Sequence, residues 1–210
     1  MADVHTLLLD ADGVLQWPTP GWLEKWRPFA RGDLEGFMAE MFAVELPALR
    51  GEEPLQESVE RFLRETGRDP GAVDEICSPW RMIDLFEPAF DLIAQIRAAG
   101  VEVYLASNQQ QFRRDVMLDL GYADHFDGLF FSCDLGVAKP DPDYFRAILR
   151  ELDRGPEGVV FIDDRHDNVA AAASLGISAH HHDVHDSHAE DEFGIANLTS
   201  VLRSAGVPGV

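Results

Sequence analysis

Apolar residues recur along this chain in short compact runs, each ending abruptly on polar residues. Thr6 to Leu9 stops at Asp10-Ala-Asp-Gly, Val101 to Ala106 at Ser107-Asn108, Leu129 to Phe131 at Ser132, and Val159 to Ile162 at Asp163-Asp164. Such runs, too short for a helix of ordinary length, read as strands buried in a sheet. Helical spacing follows them, over Phe112 to Leu120, Tyr144 to Leu152 and Asn168 to Leu175. Strands alternating with helices predict an α/β fold with a parallel sheet covered on both faces. Ahead of the second strand, Ala89, Leu92, Ile93 and Ile96 predict a helix that stops at Gly100, a C-cap residue.

From Trp17 to about Leu85 the pattern changes. Aromatic-rich amphipathic segments occupy Leu23 to Met41 and Leu55 to Thr66, with no strand-like run. The expected organisation is a core domain from residues 1–16 and 86–210, with a helical cap over 17–85. Pro18-Thr-Pro-Gly and Phe86-Glu-Pro carry the turn residues expected of hinges between the two.

Charge narrows the choice of partners. With 38 acidic and 17 basic side chains among 210 residues the formal net charge is −21, which opposes binding to nucleic acid or anionic lipid. An anionic small-molecule substrate then needs a local cation. Cys77 and Cys133 stand far apart and outside any CxxC spacing, so no disulfide framework or thiolate zinc site is expected. The short apolar runs and the absence of a signal-like N-terminus lead to the expectation of a cytoplasmic protein with no membrane partner.

Ligands of open parallel sheets bind beyond the carboxyl ends of the strands, so Asp10, Asp12, Ser107, Asn108, Asp163 and Asp164 are expected on one rim. Crowded carboxylates stay ionised most readily around a hard divalent cation, and magnesium is the natural candidate because it leaves places for water and phosphate oxygens. Two carboxylates one residue apart suit a nucleophile and a proton carrier. Lys139, in Gly136-Val-Ala-Lys-Pro-Asp-Pro, is placed in a turn opening the next helix, with Pro140 in its first turn, where its ammonium reaches back to the rim. Ser107 and Asn108 offer a hydroxyl and backbone donors for phosphate oxygens.

Taken singly, each has a plainer reading. Asp-x-Asp-Gly is often only a turn, Ser107 a helix cap, Lys139 a solvated side chain, and Asp163-Asp164 a helix N-terminal pair. Their order and shared strand context favour the site. His180, His181, His182, His185 and His188 suggest a metal site less well, because neighbours on a strand point to opposite faces. Trp17, Trp22 and Trp26 read as packing residues, with one at the substrate mouth.

Together these residues resemble the haloacid dehalogenase-like hydrolase superfamily. Leu9-Asp10-Ala-Asp12-Gly-Val is similar to its first motif, Leu105-Ala-Ser107-Asn108 to its second, Lys139 to its third and Phe161-Ile-Asp163-Asp164 to its fourth. The resemblance implies a three-layer α/β/α Rossmann-like core with a small helical cap inserted after the first strand, and a magnesium-dependent phosphatase. In its terms Asp10 is nucleophile and metal ligand, and Asp12 is general acid/base and binds metal through its backbone carbonyl. Ser107, Asn108 and Lys139 hold the phosphate. Asp164 binds metal directly, and Asp163 binds through water or orients its neighbour. The stretch from Ser132 to Phe145, with Asn168 after Asp163-Asp164, is similar to a branch that includes glucose 1-phosphate phosphatases. The alternatives are a phosphosugar mutase of the same superfamily and a non-catalytic binding or regulatory module.

Overall fold

The computed structural model describes residues 3–183 and 191–210. In chain order its strands are β1 (Thr6–Leu9), β2 (Gln16–Pro18), β3 (Ile83–Leu85), β4 (Glu102–Ser107), β5 (Gly128–Phe131), β6 (Val159–Asp163) and β7 (Ser178–His181). Five of them form one sheet in the order β5-β4-β1-β6-β7, with every pairing parallel. This is the predicted α/β architecture. The helices are α1 (Leu34–Leu49), α2 (Leu55–Glu65), α3 (Val73–Cys77), α4 (Glu87–Ala98), α5 (Gln111–Asp119), α6 (Tyr122–His125), α7 (Ser132–Leu135), α8 (Pro142–Glu151), α9 (His166–Ala173) and α10 (Asp191–Ser204).

Alternation along β1 explains the layers. Leu7 and Leu9 face one side and pack with Ile93 and Ile96 of α4 and Leu198 and Leu202 of α10. Leu8 faces the other, with Tyr144, Phe145 and Ile148 of α8 and Ala172 of α9. The central strand is thus apolar at consecutive positions because both of its faces are covered. The edge strand β7 carries His180 and His181 and is too polar to announce itself by hydropathy.

Residues between β2 and β3 build a third apolar cluster, including Trp26, Phe37, Met41, Leu55, Val59, Ile76 and Trp80. Two expectations are corrected here. The segment Leu23 to Met41 is not one amphipathic run. A single turn spans Leu23–Trp26, Arg31 and Gly32 take positive φ of 49° and 93°, and Asp33 then caps α1 by accepting from Gly36 N at 2.9 Å. Nor is the stretch from Trp17 to Leu85 free of strands, since β2 and β3 at its two ends pair antiparallel, Trp17 opposite Asp84. Three-residue strands carry too few positions to show a period.

No helix among the described residues is long and apolar enough to cross a membrane.

Candidate active site

The parallel sheet delivers its strand ends to one rim. Asp10 is the first residue after β1, Ser107 the last of β4 and Asp163 the last of β6, and all three are buried. The Asp10 N–H donates to the Ile162 carbonyl at 3.0 Å, and Asp10 Oδ1 accepts from Ala11 N at 2.8 Å. The Ala11 carbonyl accepts from the N–H groups of Val14, Leu15 and Gln16, closing the turn that presents Asp12.

Lys139 crosses to this rim and is itself buried. Its Nζ lies 2.9 Å from Asp10 Oδ1 and donates to Asp163 Oδ2 at 2.6 Å and to the Ala106 carbonyl at 2.8 Å. Burial disfavours its charge, but the attraction of Asp10 and Asp163 holds its ammonium above the ordinary lysine value. The expected position of Pro140 is corrected: α8 begins at Pro142 with Asp141 as its N-cap, and Pro140 lies before it, after a cis peptide bond. Asn108 is a clamp on this loop. Its side chain donates to the Lys139 carbonyl and accepts from Lys139 N, both at 2.8 Å, which leaves its backbone rather than its amide facing a ligand.

The two aspartates of the Asp163-Asp164 pair differ. Asp163 accepts from Lys139 Nζ, from Arg165 N at 2.8 Å and from Asn168 Nδ2 at 2.9 and 3.1 Å, so both of its oxygens are engaged. Asp164 is half-buried and its carboxylate accepts no hydrogen bond from the described residues. Asp10, Asp163 and Asp164 each place an oxygen within 4.8 Å of the others. Burial, with neighbouring carboxylates adding to it, pushes Asp10 up to about 8 and Asp164 up to about 6. An oxygen-only donor set whose protons are held by burial and mutual repulsion fits a hard divalent cation, which favours the ionised form of each ligand.

A family profile described as haloacid dehalogenase-like hydrolase matches residues 4–176. The chain belongs to this family. A sesquiterpene phosphatase of Aspergillus oryzae is 31% identical over 91 residues, covering 43% of the chain and 46% of that protein. A phosphoserine phosphatase of Thermus thermophilus is 29% identical over 133 residues, covering 60% and 53%. The chain thus matches about half the length of each. Among solved structures, a haloacid dehalogenase family enzyme of Bacteroides thetaiotaomicron in complex with magnesium and inorganic phosphate superposes with a TM-score of 0.75 at 22% identity, covering 89% of this chain and 98% of that one. At that identity the likeness is one of fold.

In this haloacid dehalogenase-like chain the Asp12 carboxylate has partners other than Lys139. Arg113 Nη2 donates to its Oδ1 at 2.6 Å, Gln16 Nε2 to the same oxygen at 3.0 Å, and Gln109 Nε2 to its Oδ2 at 2.7 Å. Gln109 also donates to Ser107 Oγ at 3.1 Å, and Gln16 Oε1 accepts from Tyr122 Oη at 2.7 Å. Sequence reasoning assigned no role to Gln16, Gln109, Arg113 or Asn168. The available signal was position: Gln109 and Arg113 flank the start of α5, directly after the Ser107-Asn108 strand end.

The described histidines diverge. His181 Nε2 donates to the Asp164 carbonyl at 2.8 Å and its ring stacks on His166 at 3.7 Å, whereas His182 Nδ1 pairs with Asn197 Oδ1 and His180 Nε2 with Ser178 Oγ. His185 and His188 lie outside the described residues. Trp26 is buried and Trp17 packs edge-on against Phe86 at 5.0 Å, while Trp22 lines a cavity beside Asp12.

Proposed function

We propose that this protein is a magnesium-dependent phosphatase that hydrolyses a small phosphate monoester through an aspartyl-phosphate on Asp10. The observation that carries the reading is the division of labour around one turn: Asp10 sits among Lys139, Asp163 and Asp164, and Asp12 sits apart, oriented by Arg113, Gln109 and Gln16. A nucleophile beside a metal site and a separate proton carrier are what phosphoryl transfer to and from a carboxylate needs. The phosphatase names among the relatives point the same way.

In this reading an Asp10 oxygen attacks phosphorus, and the bond to the ester oxygen breaks as Asp12 delivers a proton to the leaving alcohol. Asp12 then takes a proton from water, which attacks the aspartyl-phosphate and frees Asp10 and phosphate. Lys139 offsets the charge of nucleophile and phosphate, and Ser107 with the Asn108 backbone faces the phosphate oxygens. Asp10 and Asp164, with the Asp12 carbonyl, would hold the magnesium ion, and Asp163 would act on it through water while fixing Lys139. Bound there, magnesium supplies charge stabilisation for the transferring phosphoryl group. Residues 17–85 act as the cap that closes over the ester.

The test is free phosphate release from a panel of phosphate monoesters with magnesium, beside Asp10→Asn and a chelator control. Turnover lost in both controls supports the mechanism. Isomerised phosphate without release would turn the reading to a mutase, and no reaction with any ester to a binding module.

A further inference from the structure

Beside Asp12 the structure holds a second space, a cavity of about 270 Å³. Trp22, Trp26, Phe42, Leu49 and Trp80 form its aromatic and apolar side, and among the described residues Glu45 is its one acid other than Asp12. The rings pack as a unit, Trp26 lying 5.1 Å from Trp80, 5.4 Å from Trp22 and 6.2 Å from Phe42 between centroids. Glu45 comes from α1 and is only 9% exposed.

Arg113 is the one cation of this wall among the described residues and is bonded to Asp12 at 2.6 Å, so Glu45 makes no ion pair of its own among the described residues of this aromatic enclosure. Burial pushes the Glu45 carboxyl up to about 7, and Arg113, Gln110 and Trp80 offset this only in part. The group that completes such an enclosure is a cation, which aromatic rings attract and a buried carboxylate neutralises. The cavity reaches Asp12, the residue that protonates the leaving oxygen, so the part of the ester beyond that oxygen extends into it.

We propose that this cavity receives the leaving group of the substrate, and that this group is a small alcohol carrying an ammonium nitrogen, held by Glu45 and the surrounding rings. The inference rests on the phosphatase reading and departs from a sugar ester, whose many hydroxyls meet polar side chains already engaged within the protein, Asn108 by Lys139 and both Gln109 and Arg113 by Asp12. A zwitterionic ester is also repelled less by a chain of net charge −21.

The test uses a matched pair that differs in charge and not in shape: choline and 3,3-dimethylbutanol, and their phosphate monoesters. Binding of the two alcohols is followed by tryptophan fluorescence, independently of turnover, and hydrolysis of the esters by phosphate release with magnesium, with p-nitrophenyl phosphate as the reference. Choline is expected to bind at least about tenfold tighter than its neutral isostere, and its phosphate to be cleaved with a kcat/KM higher by a similar factor. Glu45→Gln should reduce both preferences to within about twofold, each preference being taken as the charged-to-neutral ratio within one protein so that any change in p-nitrophenyl phosphate hydrolysis cancels. Equal or better binding of 3,3-dimethylbutanol by the wild-type protein overturns the proposal, whatever the variant does. If p-nitrophenyl phosphate is cleaved and the charged ester is not preferred, the ammonium inference fails and the phosphatase reading stands. If no ester is cleaved the phosphatase reading fails, and preferential choline binding would then mark a cation-binding cavity with no leaving-group role, which also overturns the proposal.

Discussion

The two halves of the site handle buried charge in opposite ways. On the rim, Lys139 lies between Asp10 and Asp163, and Asp163 is saturated by Lys139, Asn168 and the Arg165 amide. On the cavity side, one guanidinium serves Asp12 and leaves Glu45 in an aromatic wall. The rim sits on strand ends whose positions the sheet hydrogen bonds fix, which suits chemistry that must be repeated within a few tenths of an ångström. The cavity is lined largely by helices and turns from residues 17–85, where composition changes without disturbing the sheet. On the proposed reading, reaction and recognition rest on different parts of the chain.

The sharpest way to break the rim is to remove its proposed nucleophile. Asp10→Asn keeps the shape and loses the attacking oxygen, so phosphate release is expected to fall by about three orders of magnitude or more, with an unchanged circular dichroism spectrum. Lys139→Met acts on stability as well. It leaves Asp10 and Asp163 buried without their cation, and the expected loss is about 3–5 kcal/mol in urea unfolding with a chelator present. Magnesium should restore part of that loss by binding the folded carboxylates. A variant as stable as the wild type in chelator would mean that the rim charges are not held by Lys139.

The cavity side makes the opposite prediction, because there the charge is the liability. Glu45 titrates near 7 when folded and near its ordinary value of 4.5 when unfolded. Between those pH values the folded chain binds the extra proton, so wild-type stability contains a term that is full below about 4.5 and lost as pH rises through 7. Glu45→Gln removes that dependence. It should match the wild type near pH 4.5 and exceed it by up to about 3 kcal/mol near pH 8, read as a gap between the two stability curves that widens with pH. A gap that stays constant with pH would show that Glu45 is solvated in the folded state.

How much of this was legible follows the same division. Asp10, Ser107 and Asp163 could be placed from sequence because a strand buried on both faces is apolar at every position and its end is unmistakable. Lys139 was legible as a cation near the rim, while the identity of its three acceptors depends on a loop path that no periodicity encodes. Asn108 reads as a backbone donor to phosphate oxygens, and only the fold reveals that its side-chain amide is bonded to the Lys139 backbone. The cavity was illegible for a different reason. Trp22, Phe42, Glu45, Trp80 and Arg113 come from four separated stretches, and each has an ordinary packing or surface explanation taken alone.

The smallest expected effect bears on which aspartate holds the metal. Gly13 has φ of +77°, and a Cβ there would stand 2.5 Å from Asp164 Oδ2. Gly13→Ala therefore combines a left-handed backbone penalty of about 1–2 kcal/mol with a contact that must be relieved. Relief falls on Asp164, because its carboxylate has no hydrogen bond from the described residues to hold it, whereas Asp163 is fixed by several. If Asp164 is the direct ligand, the variant loses about 1–2 kcal/mol in chelator and also binds magnesium roughly tenfold more weakly by calorimetric titration. If Asp163 carries the ion instead, the same variant loses the stability with magnesium affinity within about twofold of the wild-type value, since the three atoms nearest the added Cβ all belong to Asp164.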